Sequence, residues 1–300
     1  MASDTVQIVE VGPRDGLQNE ATPVSVADRM AFITALADAG VKRIEAGAFV
    51  SPKWVPQMAG TDEVLGGLTG LPADVELSVL VPNMRGMDAA QACTGITEIA
   101  VFAAASEAFS QKNINCSIDE SLQRFAPVAE AAKAAGYRLR GYVSCVLGCP
   151  YQGDVPLSDV VRVSKALQDA GCAEISLGDT IGIGTPYKAR KMVEAVASEV
   201  PVSQLAVHYH DTYGQALANT LACLEAGIRV VDSAAGGLGG CPYAKGASGN
   251  LATEDLIYML DGLGMQTGID LDRLIAAAWQ ISSAVGRPPQ SRLAHARKPA

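Results

Sequence analysis

Histidine is scarce in this chain of 300 residues: it occurs three times, and His208 and His210 are separated by a single residue. Positive charge is also in deficit, because 23 Lys and Arg face 32 Asp and Glu, which leaves a formal net charge of −9. Nonspecific nucleic-acid binding needs a basic surface that displaces phosphate counterions, so we expect no nucleic-acid partner. An acidic balance still permits a local basic pocket for an anionic small molecule.

Long apolar runs are missing as well. No run approaches the roughly 18 apolar residues of a membrane-spanning helix, and the first residues, MASDTVQIVEV, have neither the charged nor the apolar region of a secretory signal. The sequence also has no N-terminal transit extension and no C-terminal peroxisomal tripeptide. We therefore expect a cytoplasmic protein without a membrane partner.

The seven cysteines form an odd set without the short spacing of disulfide-rich secreted domains. Cys145 and Cys149 lie four residues apart, but no second cysteine pair accompanies them, which argues against a structural zinc site. Phosphate-binding and dinucleotide-binding glycine signatures are absent. We expect most of the cysteines to be buried as small apolar side chains.

Short β-rich runs alternate with helical patterns eight times along the chain. Ser25 is a predicted N-cap with Gly40 as the terminator of its helix, and Ser117 with Glu120 forms a predicted capping box. Eight strand-then-helix units predict a closed TIM (β/α)₈ barrel with extra C-terminal helical residues; a doubly wound open sheet is the alternative. No linker interrupts the series, so we expect one catalytic domain over residues 1–300.

Active sites of such barrels lie at the C-terminal ends of the strands. Polar residues follow five of the predicted strands at this end: Arg14 and Asp15 after the first, Glu45 after the second, Asn83 after the third, Asp179 after the sixth, and His208 and His210 after the seventh. A glycine-rich segment, 235–250, follows the eighth strand, contains Cys241 and ends at Asn250. The fold rule therefore gathers these residues into one predicted site.

The two neighbouring histidines indicate a metal site. Side chains two apart in a strand leave the same face, so His208 and His210 point at one target. With the Asp15 carboxylate and the carbonyl oxygen of Asn250, they make a mixed nitrogen and oxygen set that leaves positions for water or substrate. Such a set suits Mg²⁺ or Mn²⁺, with Zn²⁺ as an alternative; two hydrogen-bonded histidines without a metal are the other interpretation.

Cys241 and Arg14 are candidates for the chemistry itself. Glycines on both sides of Cys241 are typical of a segment that closes over substrate, and Lys245 is placed to favour a thiolate. Cys241 is thus a candidate acid, base or nucleophile, with a packing role as the alternative. Arg14 either pairs with a neighbouring carboxylate or stabilises charge that develops on a carbonyl oxygen.

Six segments of the chain together resemble the 3-hydroxy-3-methylglutaryl-CoA lyase family: VGPRDGLQNE, AFVSPKWVPQM, GYVSCVLGCPYQG, SLGDTIGIGTP, HYHDTYGQALANTL and GGLGGCPYAKGASGNLATED. The resemblance runs from about Val6 to Gly268. It implies metal-assisted retro-Claisen cleavage of (S)-3-hydroxy-3-methylglutaryl-CoA to acetyl-CoA and acetoacetate. It also implies a coenzyme A thioester as substrate, leucine degradation as the usual setting and a homodimer as the assembly.

The resemblance assigns a role to each candidate residue. It implies that the divalent cation, Mg²⁺ or Mn²⁺, is held by Asp15, His208, His210 and Asn250. The remaining implied roles are enolate stabilisation by Arg14, support or polarisation of the site by Glu45 and Asp179, proton donation by Cys241, and coenzyme A contacts from Asn113 and Ser117. The base that removes the substrate's hydroxyl proton is left open between Asp15 and His208.

Two other classes of protein are compatible with parts of this pattern. A Claisen-condensing synthase of the same barrel group shares the Arg-Asp and His-x-His pairs but is not expected to carry GGCPYAKGASGN. A silent metal-binding scaffold has no need of every reacting residue.

The chain departs from the family pattern in one respect: it lacks the C-terminal cysteine that the animal enzymes carry, so we do not expect thiol cross-linking of subunits. The small EAGAF segment leaves related hydroxyacyl-CoA substrates open.

Overall fold

The computed structural model describes residues 4–240 and 249–299, in which eight parallel strands close into a barrel in chain order. The first strand pairs with both the second and the eighth, so the barrel prediction is confirmed and the open sheet is wrong. The strands are β1 Gln7–Glu10, β2 Arg43–Ala48, β3 Glu76–Leu80, β4 Ile96–Ala104, β5 Arg138–Ser144, β6 Glu174–Asp179, β7 Leu205–Tyr209 and β8 Val230–Ser233.

Helices surround the barrel, and two of them follow the eighth strand-then-helix unit as the predicted C-terminal extension. They are α1 Val26–Asp38, α2 Thr61–Gly67, α3 Met84–Gln91, α4 Glu107–Ile114, α5 Ile118–Ala134, α6 Leu157–Asp169, α7 Pro186–Val196, α8 Ala216–Glu225, α9 Thr253–Gly262, α10 Leu271–Val285 and α11 Arg292–Ala296. The short helix α4 between β4 and α5 was not predicted. In the described part of the chain, no helix has the length and apolar character needed to cross a membrane.

Local capping chemistry determines where several helices begin and end. The Ser25 side chain accepts a hydrogen bond from the backbone N–H of Asp28 at the start of α1, and Ser117 with Glu120 forms a complete capping box on α5. Gly40 follows α1 with φ of 98°, and a Cβ there would lie 2.6 Å from the carbonyl oxygen of Gly268, so only glycine fits. These predictions are confirmed.

Buried ion pairs, in addition to aliphatic side chains, fill the barrel lumen. Arg43 on β2 donates to Glu98 on β4 and to Glu174 on β6, each at 3.0 Å. Arg140 on β5 donates to Glu174 at 2.7 Å and to Asp232 on β8 at 2.6 Å. Side chains from strands that are not neighbours in a closed barrel meet only across its interior, so these charges tie opposite walls together.

Candidate active site

The chain leaves β1 through a turn of π-helix, Gly12–Gly16, that carries Arg14 and Asp15. Turns of π-helix are rare in proteins, but those that occur often lie at functional sites. The extra residue in the turn changes the direction in which side chains point. Gly12 is required there, since a Cβ would lie 2.5 Å from Oε1 of Glu10, which instead accepts the Gly12 backbone N–H at 2.9 Å. The turn brings both Arg14 and Asp15 to the mouth of the barrel, as the strand-end rule predicted.

Asp15, His208 and His210 form a cluster with the geometry of a metal site. One donor atom from each lies within 4.8 Å of the others. Oδ2 of Asp15 is 3.8 Å from Nε2 of His208 and 3.9 Å from Nε2 of His210, so both rings present the same nitrogen to one carboxylate. Within the described ranges, this is the one group of three or more His, Cys, Asp or Glu side chains with that spacing.

Asn250 completes the candidate donor set. Its Nδ2 donates to Oδ2 of Asp15 at 3.0 Å and to the carbonyl oxygen of Leu238 at 3.1 Å. Its Oδ1 is buried and has no hydrogen-bond partner among the described residues. Buried polar atoms are normally paired, so this oxygen is free for a ligand, although it is Nδ2 of the amide that contacts Asp15. One carboxylate, two imidazoles and one amide oxygen fit a divalent cation.

The electrostatics of the cluster favour the protonation state that a metal ligand needs at Asp15 and at His210, but the opposite state at His208. Burial by itself would raise the pKa of Asp15, but the Arg14 guanidinium and the two histidines outweigh it and bring that pKa to about 2. Burial lowers the pKa of His210 to about 4, so its ring is neutral at pH 7. Burial also opposes protonation of His208, but Asp232 and Asp15 outweigh it and raise its pKa.

Arg14 is held by two carboxylates and an aromatic ring. Its Nε donates to Oε2 of Glu45 at 2.7 Å and its NH1 donates to Oδ1 of Asp15 at 2.8 Å, while the guanidinium lies 5.5 Å from the centre of the Tyr142 ring. Glu45 is completely buried on β2 and does not line the cavity. Its burial raises the pKa of Glu45, although the neighbouring Arg14 opposes this. Glu45 therefore acts on the cavity only through Arg14.

A cavity of about 880 Å³ opens above this cluster. Arg14, Asp15, His208 and His210 form its polar base. Its other walls combine apolar side chains (Leu80, Phe102, Phe109, Phe125 and Val143) with polar ones that include Asn83, Lys112, Asn113 and Arg124. The arrangement offers an apolar chamber with cationic groups for an anionic ligand.

The other predicted residues have different places. Asn113, at the end of α4, lines the cavity, whereas Ser117 is the N-cap of α5 and does not line it. The carboxylate of Asp179 accepts the backbone N–H groups of Gly184 at 2.8 Å and Ile183 at 3.3 Å, so it orders the turn after β6 and lies outside the cavity wall. Cys241 lies outside the described residues.

Sequence reasoning missed Asp232 at the C-terminal end of β8. Its Oδ2 lies 3.4 Å from Nδ1 of His208, on the side of the ring that faces away from Asp15. A signal was present, because IRVVDSAA places a carboxylate inside the predicted eighth strand. Lys112 and Arg124, which bring positive charge to the cavity, were also missed. Lys112 lies on α4, a helix that was not predicted, and Arg124 lies at an exposed position of α5.

The fold and the site together define a barrel enzyme with a candidate metal centre at the carboxyl ends of its strands. The model of the HMGL-like family matches residues 5–281 of this chain. The chain belongs to the HMGL-like family, as the sequence segments predicted.

Curated relatives in this family are lyases. The chain is 57% identical over 291 residues to 3-hydroxy-3-isohexenylglutaryl-CoA/hydroxy-methylglutaryl-CoA lyase of Pseudomonas aeruginosa, with 97% of this chain and 96% of that protein covered. It is 58% identical over 291 residues to the mitochondrial hydroxymethylglutaryl-CoA lyase of Bos taurus, with 97% and 89% covered.

Solved structures agree with the fold. The crystal structure of hydroxymethylglutaryl-CoA lyase from Pseudomonas aeruginosa superposes with a TM-score of 0.95 at 56% identity, covering 99% of this chain and 98% of that one. An HMG-CoA lyase from Acinetobacter baumannii in complex with coenzyme A and 3-methylmalate gives a TM-score of 0.93 at 36% identity, covering 99% and 96%.

Proposed function

We propose that this chain is a lyase that cleaves (S)-3-hydroxy-3-methylglutaryl-CoA to acetyl-CoA and acetoacetate. The observation that carries the proposal is the position of Arg14 beside the Asp15, His208 and His210 cluster at the base of one cavity. A donor set for a cation and a guanidinium for an enolate are the two groups that retro-Claisen chemistry requires. Lyases more than half identical to this chain support the assignment.

We propose that the metal is Mg²⁺ or Mn²⁺, held by Asp15, His208, His210 and Asn250. When bound, such a cation acts as a Lewis acid that lowers the pKa of a coordinated hydroxyl group. The unpaired Oδ1 of Asn250 and the convergence of both Nε2 atoms on Asp15 support this set.

The residues then have distinct tasks in the reaction. Asp15 or His208 takes the proton from the C3 hydroxyl of the substrate. The C2–C3 bond breaks as the C3 oxygen becomes the ketone of acetoacetate. The electron pair of the broken bond passes to C2 and is delocalised onto the thioester carbonyl, which gives the enolate. Arg14 stabilises the resulting enolate oxygen, because preorganised positive charge acts where negative charge develops.

Cys241 is proposed as the acid that protonates C2 of the enolate and so completes acetyl-CoA. One proton leaves the hydroxyl and one arrives at C2, so no net proton is consumed. Glu45 supports the stabilisation of the enolate by holding Arg14, and Asp179 supports the site by ordering the turn after β6.

Coenzyme A is proposed to approach along the side of the cavity formed by α4 and α5. Lys112 and Arg124 supply positive charge there for its phosphates, and Asn113 lines the same cavity. The structure of the Acinetobacter baumannii relative contains coenzyme A, which supports a coenzyme A thioester as the substrate class. A contact from Ser117 stays a prediction.

A second substrate has support from one relative. The Pseudomonas aeruginosa protein is named for 3-hydroxy-3-isohexenylglutaryl-CoA as well. The apolar wall of Leu80, Phe102, Phe125 and Val143 is suited to a longer alkenyl group at C3. Comparing kcat/KM for the two thioesters tests this; no measurable cleavage of the isohexenyl thioester removes it.

The setting of the enzyme is part of the same proposal. We propose a single catalytic domain over residues 1–300, a homodimer, a cytoplasmic location and a part in leucine degradation. High identity to a bacterial relative supports the location, while the bovine relative is mitochondrial by name. Sedimentation of the purified protein tests the dimer.

The deciding experiment is a direct assay. Purified protein, stripped of metal and then given Mg²⁺ or Mn²⁺, is expected to release acetoacetate and acetyl-CoA in equal amounts from the (S)-thioester. The matched control is the stripped protein with chelator present, which should release neither. Absence of cleavage with both metals would overturn the proposed activity.

A further inference from the structure

His208 lies between two carboxylates. Its Nε2 is 3.8 Å from Oδ2 of Asp15, and its Nδ1 is 3.4 Å from Oδ2 of Asp232. A neutral imidazole carries one proton, so one ring nitrogen donates while the other keeps a lone pair. Which carboxylate receives the proton therefore decides which nitrogen is able to bind a cation.

Asp232 is held by three hydrogen bonds from two residues. Arg140 donates to both of its oxygens, at 2.6 Å and 3.2 Å, and the Ser176 hydroxyl donates to Oδ2 at 2.7 Å. Arg140 is in turn held by Glu174, which accepts its Nε–H at 2.7 Å, and by the Tyr142 ring 4.8 Å away. The carboxylate is completely enclosed and has no freedom to turn away from His208.

Asp232 is an acceptor only. Its two oxygens accept three hydrogen bonds, two from the Arg140 guanidinium and one from the Ser176 hydroxyl, and an ionised carboxylate satisfies that set of donors. An ionised carboxylate beside Nδ1 favours a proton on Nδ1, because two lone pairs facing each other repel. At 3.4 Å the contact is longer than a normal hydrogen bond, and it is the carboxylate contact of that nitrogen.

The neighbouring histidine has no such partner. The Nδ1 of His210 is buried and makes no hydrogen bond within the described residues, and its one recorded carboxylate contact is Nε2 to Asp15. His208 also lacks a hydrogen bond of standard geometry at Nδ1, but it alone of the two has a carboxylate beside that atom. The pair therefore supplies an internal comparison.

We infer that Asp232 is a positioning residue that holds His208 in the tautomer with the proton on Nδ1, so that the Nε2 lone pair faces Asp15 and the metal position. A carboxylate that contacts the second nitrogen of a metal-ligating histidine fixes the orientation of the ring and increases the basicity of the ligating nitrogen. The inference rests on the proposed function in taking Asp15, His208 and His210 as metal ligands. It predicts the tautomer even in the protein without metal.

Nuclear magnetic resonance of the metal-free protein tests this directly. The chain has three histidines, so a long-range proton–nitrogen spectrum of histidine-labelled protein contains three ring systems, which His210→Ala and His295→Ala help to assign. Recorded at a pH where the rings are neutral, wild-type His208 is expected to be protonated on Nδ1. In Asp232→Asn the amide is able to donate to Nδ1, so His208 is expected to shift toward protonation on Nε2, while His295 does not change.

Metal affinity gives the second readout. Calorimetry with Mn²⁺ is expected to show roughly 10–100-fold weaker binding to Asp232→Asn than to wild type. Ser176→Ala is the matched control, because it removes a donor to the same carboxylate without changing its charge, and it should keep both the tautomer and the affinity. Melting curves of both variants report whether they fold.

The outcomes separate this inference from the lyase activity. A wild-type His208 protonated on Nε2 overturns the inference, as does a folded Asp232→Asn with unchanged tautomer or unchanged Mn²⁺ affinity. If Asp232→Asn does not fold, the wild-type spectrum decides alone. An Nδ1 tautomer in a wild-type protein that fails to cleave the thioester would support the positioning role and overturn the proposed activity.

Discussion

The Nε atom of Arg14 lies 2.7 Å from Oε2 of Glu45, and solvent reaches almost none of either side chain. The other carboxylate oxygen of Glu45, Oε1, is buried without a hydrogen-bond partner among the described residues. Glu45 thus accepts a hydrogen bond from Arg14 through one oxygen and accepts none from the backbone of the described residues. Its contribution is to hold the Arg14 guanidinium at the cavity wall, where it also donates to Asp15.

Replacing Glu45 by Gln should lower kcat by about 10–100-fold, because a charge-assisted hydrogen bond worth about 1.5–3 kcal/mol is weakened. KM should change far less, since Arg14 acts mainly on charge that develops during the reaction. Steady-state kinetics with saturating Mg²⁺ measure both. Glu63→Gln, at an exposed position on α2, is the control and should match wild type. An undiminished kcat in Glu45→Gln would remove the residue from the mechanism.

The barrel and the base of its cavity followed from the sequence for a physical reason. Each strand end in a (β/α)₈ barrel faces the same opening, so residues such as Asp15 and His208, 193 positions apart, needed no contact information to be placed together. The alternation of side chains along β7 and the residue that follows it was enough to aim both histidines at one point.

Residues that act through other residues could not be found in the same way. Asp232 lies near the end of β8, but its role depends on which residues of β5 and β7 face it across the lumen. The sequence of a single strand does not determine how that strand is aligned with the others. The same holds for Glu10 and Glu254. Both accept backbone N–H groups of the segment after β8, and only the closed barrel brings β1 and α9 to that segment. Ser117 illustrates the reverse, because local sequence alone predicted its place at the start of α5.

His210→Ala should weaken Mn²⁺ binding by more than the roughly 10–100-fold that loss of an outer partner costs, because it removes a direct ligand. His295→Ala changes the histidine near the C-terminus, whose Nε2 contacts the carbonyl oxygen of Pro289, and should bind Mn²⁺ like wild type. Calorimetry on stripped protein compares the three. Equal affinity in His210→Ala would exclude this ring from the metal site.

Cys241→Ala should lose most of the turnover and keep its Mn²⁺ affinity. The physical reason is that the thiol is proposed to deliver the proton to C2 and has no place in the donor set. Acetoacetate release and calorimetry measure the two properties on the same preparation. Cys93→Ala, which changes a half-buried cysteine outside the cavity lining, is the control. Full turnover by Cys241→Ala would assign protonation to another group.

Glu10 and Glu254 are completely buried beside the segment that follows β8. They accept hydrogen bonds from two consecutive backbone N–H groups of that segment. Glu10 accepts from the Thr253 hydroxyl at 2.6 Å and from the backbone N–H of Ala235 at 2.9 Å, and Glu254 accepts from that of Gly236 at 2.8 Å. Burial raises the pKa of Glu10 to about 7 and that of Glu254 to about 8. The folded protein therefore holds these protons at pH values where the unfolded chain, with an ordinary glutamate pKa near 4.5, has lost them.

This difference makes stability fall as pH rises from about 5 through 8, because the folded state binds more protons than the unfolded state across that window. Glu254→Gln mimics the protonated acid at every pH and removes its share of the loss. We expect its Tm to equal that of wild type near pH 5 and to exceed it by roughly 2–4 °C near pH 9, for a difference of about 1–2 kcal/mol. Glu130→Gln, at an exposed position on α5, should give no such pH-dependent gain. A constant Tm difference between Glu254→Gln and wild type from pH 5 to pH 9 would mean that Glu254 does not titrate in this window.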